Sequence, residues 1–350
     1  MTTTHIKKIK KKKRMIDKNY KFTFIDLFAG IGGIRIPFEE LGGKCVFSSE
    51  WDESAQKMYQ ANFDEIPEGD ITKIHINKIP QADLLLAGFP CQPFSIIGKG
   101  EGFADTRGTL FFDIERILLS KKPKAFLLEN VKRLVSHDRG QTFKTILSKL
   151  KQAGYNVHWH ILNALDYNLP QKRERTIIVG FRQNVPFKFP SKSKMSIKLK
   201  EIIIPHKNVP KKYFASNNIK VKRLGKIKNK SIPRPGIWHE NKSGNIGVHN
   251  YSCALRSGAS HNYLLVDGIR RLTPREQLRL QGFPEDFIIN VSDSEMKKLT
   301  GNSVPINMIR AVAKEIIKSM NPLELPKCLS TVHATPQTTL KPVVVVCVLR

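Results

Sequence analysis

Apolar residues recur along the chain with two different periods. Phe22 to Phe28 is an apolar run of strand length interrupted only by Thr23 and Asp26. A glycine turn follows at Gly30, Gly32 and Gly33, and then an amphipathic stretch that closes at Gly42-Gly43. Further strand-length runs lie at Lys44 to Ser48, Asp83 to Phe89, Ala125 to Leu128 and Thr176 to Gly180. Between them, Leu110, Phe111, Ile114, Ile117 and Leu118 fall on one helical face, as do Phe143, Ile146, Leu147 and Leu150 ahead of Gly154. Strands alternating with helices predict an α/β doubly wound, Rossmann-like sheet that binds its ligands beyond the carboxyl ends of the strands.

The pattern breaks down over residues 183–268 into Pro, Lys, Asn, Ser and Gly with short apolar patches such as Glu201 to Ile204, which reads as a smaller loop-rich domain. Regularity returns at Thr273-Pro274-Arg275-Glu276, a capping box with proline at the first helical position, in a helix closing at Gly282. A last helix carries Ile309, Val312, Ala313, Ile316, Ile317 and Met320 on one face. The domains expected are therefore 21–182 and 269–322 together, with 183–268 inserted. A basic extension, 1–20, is expected to be disordered, and a tail, 323–350, ends in an apolar run without an evident role.

Charge narrows the partners. Lys and Arg outnumber Asp and Glu by 59 to 30, a formal net charge of +29. Such a surplus suits a polyanion, because each cation set against a phosphate releases a condensed counterion, although a generally Lys-rich composition would look the same. The five cysteines are scattered and never form C-x-x-C, which argues against a disulfide framework or a zinc site. No apolar run approaches a membrane span and no secretion signal is present, so a cytoplasmic protein is expected.

Gly30-x-Gly32-Gly33 after a strand lets the backbone approach a ligand, and Glu50, at the end of the next strand, is placed to accept from ribose hydroxyls. Arg35 stands where a dinucleotide fingerprint wants a third glycine. Trp51 offers a face for adenine and Asp70 an acceptor for its amino group; a core aromatic and a turn residue are the competing readings. Cys91 lies between the turn-forming Pro90 and Pro93 just past a buried strand, where a thiol needs only a cationic or hydrogen-bonding environment to become a nucleophile.

These segments resemble the bacterial DNA cytosine-C5 methyltransferases of restriction-modification systems. The likeness runs in order through Asp26-Leu27-Phe28-Ala29-Gly30-Ile31-Gly32-Gly33, Pro90-Cys91-Gln92, Glu129-Asn130-Val131, Gln171-Lys172-Arg173-Glu174-Arg175, Arg271 to Glu276, and Gly301-Asn302-Ser303-Val304. It implies an S-adenosylmethionine-dependent methyltransferase sheet with a target-recognition domain over the irregular middle. Phe28, Gly30, Gly32, Glu50, Trp51, Asp70, Ile71, Leu110, Asn302 and Val304 would form the cofactor pocket. Cys91, Glu129, Arg173 and Arg175 would be catalytic, with Glu129 kept protonated by burial. Gln92, Ser95, Gln171, Arg256, Ser257 and Gly258 would meet double-stranded DNA. Ile97 departs from relatives that carry a serine there. The resemblance further implies a monomer acting near bacterial nucleoid DNA, with a restriction endonuclease for the same site as a possible companion, and no metal. An RNA cytosine methyltransferase of the same fold and a catalytically silent DNA-binding relative remain open alternatives; a nicotinamide oxidoreductase would explain only the glycine turn.

Overall fold

β1 (Phe22–Leu27) is buried on both faces and alternates between them: Phe22 and Phe24 join one core cluster, Ile25 and Leu27 the other. That alternation requires a central strand covered by helices on each side. The computed structural model describes residues 20–90, 110–193, 196–227 and 232–321. The basic extension other than Tyr20, the tail, and Cys91, Gln92, Ser95 and Ile97 therefore lie outside the described residues.

Strands β2 (Gly43–Ser49), β3 (Leu84–Gly88) and β4 (Ala125–Val131) run parallel to β1. Beyond them come β5 (Asn156–Asn163), the two-residue β6 (Gln171–Lys172) and β7 (Glu174–Phe181). The main sheet has the order β2-β1-β3-β4-β7-β5, with β7 antiparallel to both β4 and β5. The wound sheet thus ends in an antiparallel arm. β5 was not expected from its sequence: Asn156, Trp159 and His160 are exposed on an edge strand, so its polar composition hides it.

Helices α1 (Arg35–Glu40), α2 (Glu53–Phe63), α3 (Phe111–Lys121) and α4 (Gln141–Gln152) follow the first strands. One sheet face packs α3 and α4 through Phe111, Ile114, Ile117, Phe143 and Ile146. The other packs the chain's last described helix through Met308, Ile309, Val312 and Ile316.

Within residues 183–268 lie α5 (Leu199–Ile202), α6 (Asn217–Gly225) and an antiparallel sheet ordered β11-β8-β9, from β8 (Ile237–Glu240), β9 (Ile246–His249) and β11 (Leu264–Val266). β10 (Ser252–Cys253) instead pairs with β6. The core here is shared: Leu199, Ile202, Ile237 and Val266 pack with Leu272 and with Leu280 of α7 (Pro274–Gln281). α7 has the expected capping box and ends at Gly282 with φ +82°. α8 (Asp293–Asn302), which apolar periodicity did not reveal, starts at a second capping box, Ser292 with Glu295. α9 (Ile306–Met320) completes the fold against α1 and the sheet.

Candidate active site

The loops at the carboxyl ends of β1 and β2, with the segment around Asp70 drawn alongside, build a cradle. After β1, Phe28 takes φ +53° and Gly30 φ +55°, and a methyl group placed on Gly30 would meet no atom within 4 Å. That open space is what a ligand approaching the backbone needs. Gly32 differs: at φ +81°, a methyl there would fall 2.2 Å from the Phe63 ring, so this glycine serves the packing of α2. The Glu50 carboxylate accepts from Gly30 N at 2.8 Å through Oε2 and from Asp52 N at 2.9 Å through Oε1. Burial pushes its pKa up against those two bonds.

Trp51, next in sequence, is 74% exposed, a large aromatic surface mostly uncovered. Asp70 is brought alongside because Glu50 N donates to Glu68 O at 2.8 Å and Ser49 Oγ to Gly69 O at 2.7 Å. Its own Oδ1 accepts from Thr72 N and Oγ1. Ile71 is buried in the core cluster against which Phe28 packs, together with Phe111, the neighbour of Leu110. A methyl on Gly33 would lie 3.0 Å from both Ser303 Oγ and Val304 Cγ2, so the segment after α8 is seated on the glycine turn and Asn302 stands exposed beside it. A carboxylate, an open glycine turn and a bare indole fit the ribose and base of an adenosine group, as S-adenosylmethionine requires.

Two strands from β1, Glu129 lies in β4 opposite Gly88 at the end of β3, with its Oε2 3.7 Å from where a methyl on Gly88 would be. The side chain is 6% exposed, and burial raises its pKa although Arg175 and Arg173 pull the other way. Arg175 Nε sits 2.8 Å from Glu129 Oε1, an ion-pair contact in which the N–H is not aimed along the line. Asn130, which sequence reasoning had only as a neighbour of Glu129, donates from Nδ2 to Phe89 O at 2.9 Å. It ties the end of β4 to the chain that enters Pro90-Cys91. Its signal was a polar residue at the end of an otherwise apolar buried strand.

Gln171 and Arg173 are both buried. Gln171 was expected to touch DNA, but it is fully buried. Its Nε2 donates to Leu280 O at 2.8 Å and its Oε1 accepts from Leu255 N at 3.2 Å. Arg173 was expected to be catalytic beside Arg175. It falls instead in the break between β6 and β7, 1% exposed, and its two terminal nitrogens donate to Leu255 O, Gly301 O and Ser303 O. Arg256 is exposed, its guanidinium 5.0 Å from the Tyr263 ring centre; Gly258 is exposed and Ser257 half-buried.

Residues 22–318 match the family described as C-5 cytosine-specific DNA methylase. The chain belongs to that family. Among its relatives, the type II methyltransferase M.HaeII of Haemophilus aegyptius is 58% identical over 304 residues, covering 87% of this chain and 95% of that protein. M.NgoBI of Neisseria gonorrhoeae is 58% identical over 290 residues, 83% and 91% of the two chains. Solved structures agree on the fold: Spodoptera frugiperda DNMT2 superposes with TM-score 0.66 at 21% identity, over 84% of this chain and 99% of that one. A putative DNA modification methyltransferase from an Escherichia coli prophage gives 0.66 at 19%, over 85% and 99%.

As a C5 methylase the protein is an enzyme that acts on DNA. Among the described residues, no helix is long and apolar enough to cross a membrane, and no group of three or more His, Cys, Asp or Glu could hold a metal ion.

Proposed function

We propose that this methylase transfers a methyl group from S-adenosylmethionine to carbon 5 of a cytosine turned out of a specific duplex sequence, as the modification enzyme of a restriction-modification system. The observation that carries the reading is a buried, pKa-raised Glu129 at the strand end next to Gly88, three residues before Cys91, on the same sheet edge as the Gly30, Glu50 and Trp51 cradle.

Carbon 5 of cytosine is a weak nucleophile until a group adds at carbon 6. Cys91 thiolate forms an S–C6 bond, and the displaced electron pair moves through C5 towards N3. Glu129, whose pKa burial raises against the pull of Arg175, gives a proton to N3 and stabilises that charge. Arg175 limits how far the Glu129 pKa can rise and presents a cation to the ring's O2. Bound S-adenosylmethionine supplies a methyl group made electrophilic by its sulfonium. Glu50 orients the ribose, Trp51 covers the adenine, and Phe28, Asp70, Ile71, Leu110, Asn302 and Val304 close the pocket. Loss of the C5 proton then expels Cys91 thiolate, the proton given to N3 returns to Glu129, and 5-methylcytosine is left.

None of these groups can reach a base stacked in a duplex, so the target must be extruded. Residues 183–268, with Gln92 and Ser95, read the DNA and hold the opened site, and Arg256, Ser257 and Gly258 meet the extruded nucleotide. Similarity to M.HaeII and M.NgoBI supports the type II assignment and a companion endonuclease. A single cysteine of this kind and a single reading domain suit a monomer working on nucleoid DNA in a bacterial cytoplasm.

The test is transfer of tritium from labelled S-adenosylmethionine to mixed genomic DNA and to total RNA, followed by bisulfite sequencing. Label at cytosine C5 in DNA is expected. It should vanish in Cys91→Ala and fall by about a hundredfold or more in Glu129→Gln. Label in RNA alone, or in neither, overturns the reading.

A further inference from the structure

Two segments that do different work meet at one buried side chain. Leu255 lies immediately before Arg256, Ser257 and Gly258, proposed above to contact DNA. Gly301 and Ser303 flank Asn302, proposed to contact the cofactor. Arg173 donates from Nη1 to Leu255 O at 2.7 Å, and from Nη2 to Gly301 O at 2.8 Å and to Ser303 O. The two backbones also touch directly: a methyl group on Gly301 would fall 2.2 Å from Ser257 N. From the other side, Gln171 Oε1 accepts from Leu255 N and Tyr263 Oη from Arg256 N at 2.9 Å, so the DNA-side segment is held at successive peptide groups.

The physical consequence lies in the charge. Arg173 is 1% exposed and its Nε already lacks a partner, so no spare acceptor stands ready if a carbonyl withdraws. A buried cation that loses an acceptor is costly, and either segment can therefore shift only with the other. A ligand that favours this engaged arrangement at one site therefore favours it at the other.

We propose that Arg173 is a positioning residue that couples the two binding events: ordering of Asn302 by the cofactor orders Arg256–Gly258 for DNA, and the reverse. The proposal rests on the assignment of those two sites made above.

The experiment is a binding cycle on the full chain. Dissociation constants for S-adenosylhomocysteine are measured with and without the duplex found methylated by bisulfite sequencing. Those for the duplex are measured with and without S-adenosylhomocysteine. The wild type should show each ligand tightening the other by the same factor, about fivefold or more. Arg173→Met should bring that factor close to one, and Arg173→Lys should leave an intermediate value.

A merely structural role for Arg173 would weaken both ligands or lower stability while leaving the coupling factor as in wild type, and that result overturns the proposal, as does a wild-type factor of one. Should Arg173→Met not fold, Gly301→Ala separates the same two backbones without removing a charge, and it must show the same loss of coupling for the proposal to stand. Failure of wild type to bind either ligand would count instead against the proposed function.

Discussion

Two residues near the cradle illustrate how exposure and burial assign different roles. Trp51 is 74% exposed, so its indole contributes little to the fold. Trp51→Ala should change stability by less than about 0.5 kcal/mol, as surface substitutions do. It should nonetheless weaken S-adenosylhomocysteine binding by roughly tenfold, the scale of a stacked aromatic contact, read by equilibrium dialysis. Asp26 is the opposite case. It is 1% exposed on the α1 and α9 side of β1, accepts from Tyr59 Oη at 3.2 Å through Oδ2, and has no partner for Oδ1. Burial raises its pKa from 3.8 to about 7 against the pull of Arg35. Between those values the folded chain keeps a proton that the unfolded chain has released. Stability therefore falls as pH rises from 3.8 to about 7, by up to about 1.4 kcal/mol per pH unit. Asp26→Asn should remove that part of the slope in urea titrations run across this range; an unchanged slope would mean Asp26 ionises normally.

At the scale of elements, the glycine turn between β1 and α1 performs two tasks that one motif conceals. Gly30 and Gly32 both adopt positive φ, but only Gly32 is crowded, by Phe63 of α2. Gly30→Ala should cost about 1 kcal/mol for the left-handed backbone and chiefly reduce cofactor affinity. Gly32→Ala should destabilise by a further 1–3 kcal/mol, roughly, because α2 must move. Thermal melts paired with cofactor titrations separate the two; equal losses of stability would contradict the packing argument. The same scale explains what periodicity revealed and what it hid. β1, β3 and β4 are buried on both faces and read as apolar runs, while β5 is an edge strand whose exposed Asn156, Trp159 and His160 carry no such signal. α8 was missed: its local signal is the capping pair Ser292 and Glu295, and Met296, Leu299 and Thr300 make too narrow a buried stripe.

Across the whole molecule, the inserted residues 183–268 are fastened to the rest by buried charge as well as by apolar contact. Arg270 and Glu276, both fully buried, pair through two bonds of 2.7 and 2.9 Å. Arg270 also donates to Ile204 O and His206 Nδ1, and Glu276 accepts from Ile204 N. Arg270→Met strands a buried carboxylate and should cost about 3–5 kcal/mol by urea denaturation. Adding Glu276→Gln should recover part of that loss; a strictly additive double variant would show that the pair is not coupled. The sequence alone determined what depends on local order: the strand, turn and helix succession, the helix caps, and the motif residues whose chemical types place the chain among the C5 methylases. Only the tertiary structure decided which motif side chains face the cradle and which are consumed inside the protein. Gln171, Arg173 and Arg175 look alike as an alternating string. Yet Arg175 meets Glu129, whereas Gln171 and Arg173 are spent on carbonyl and amide groups of segments some 80 to 130 residues away. The reason is physical: a buried polar group must find partners, and those partners are backbone atoms supplied by distant loops, whose positions leave no trace in local sequence.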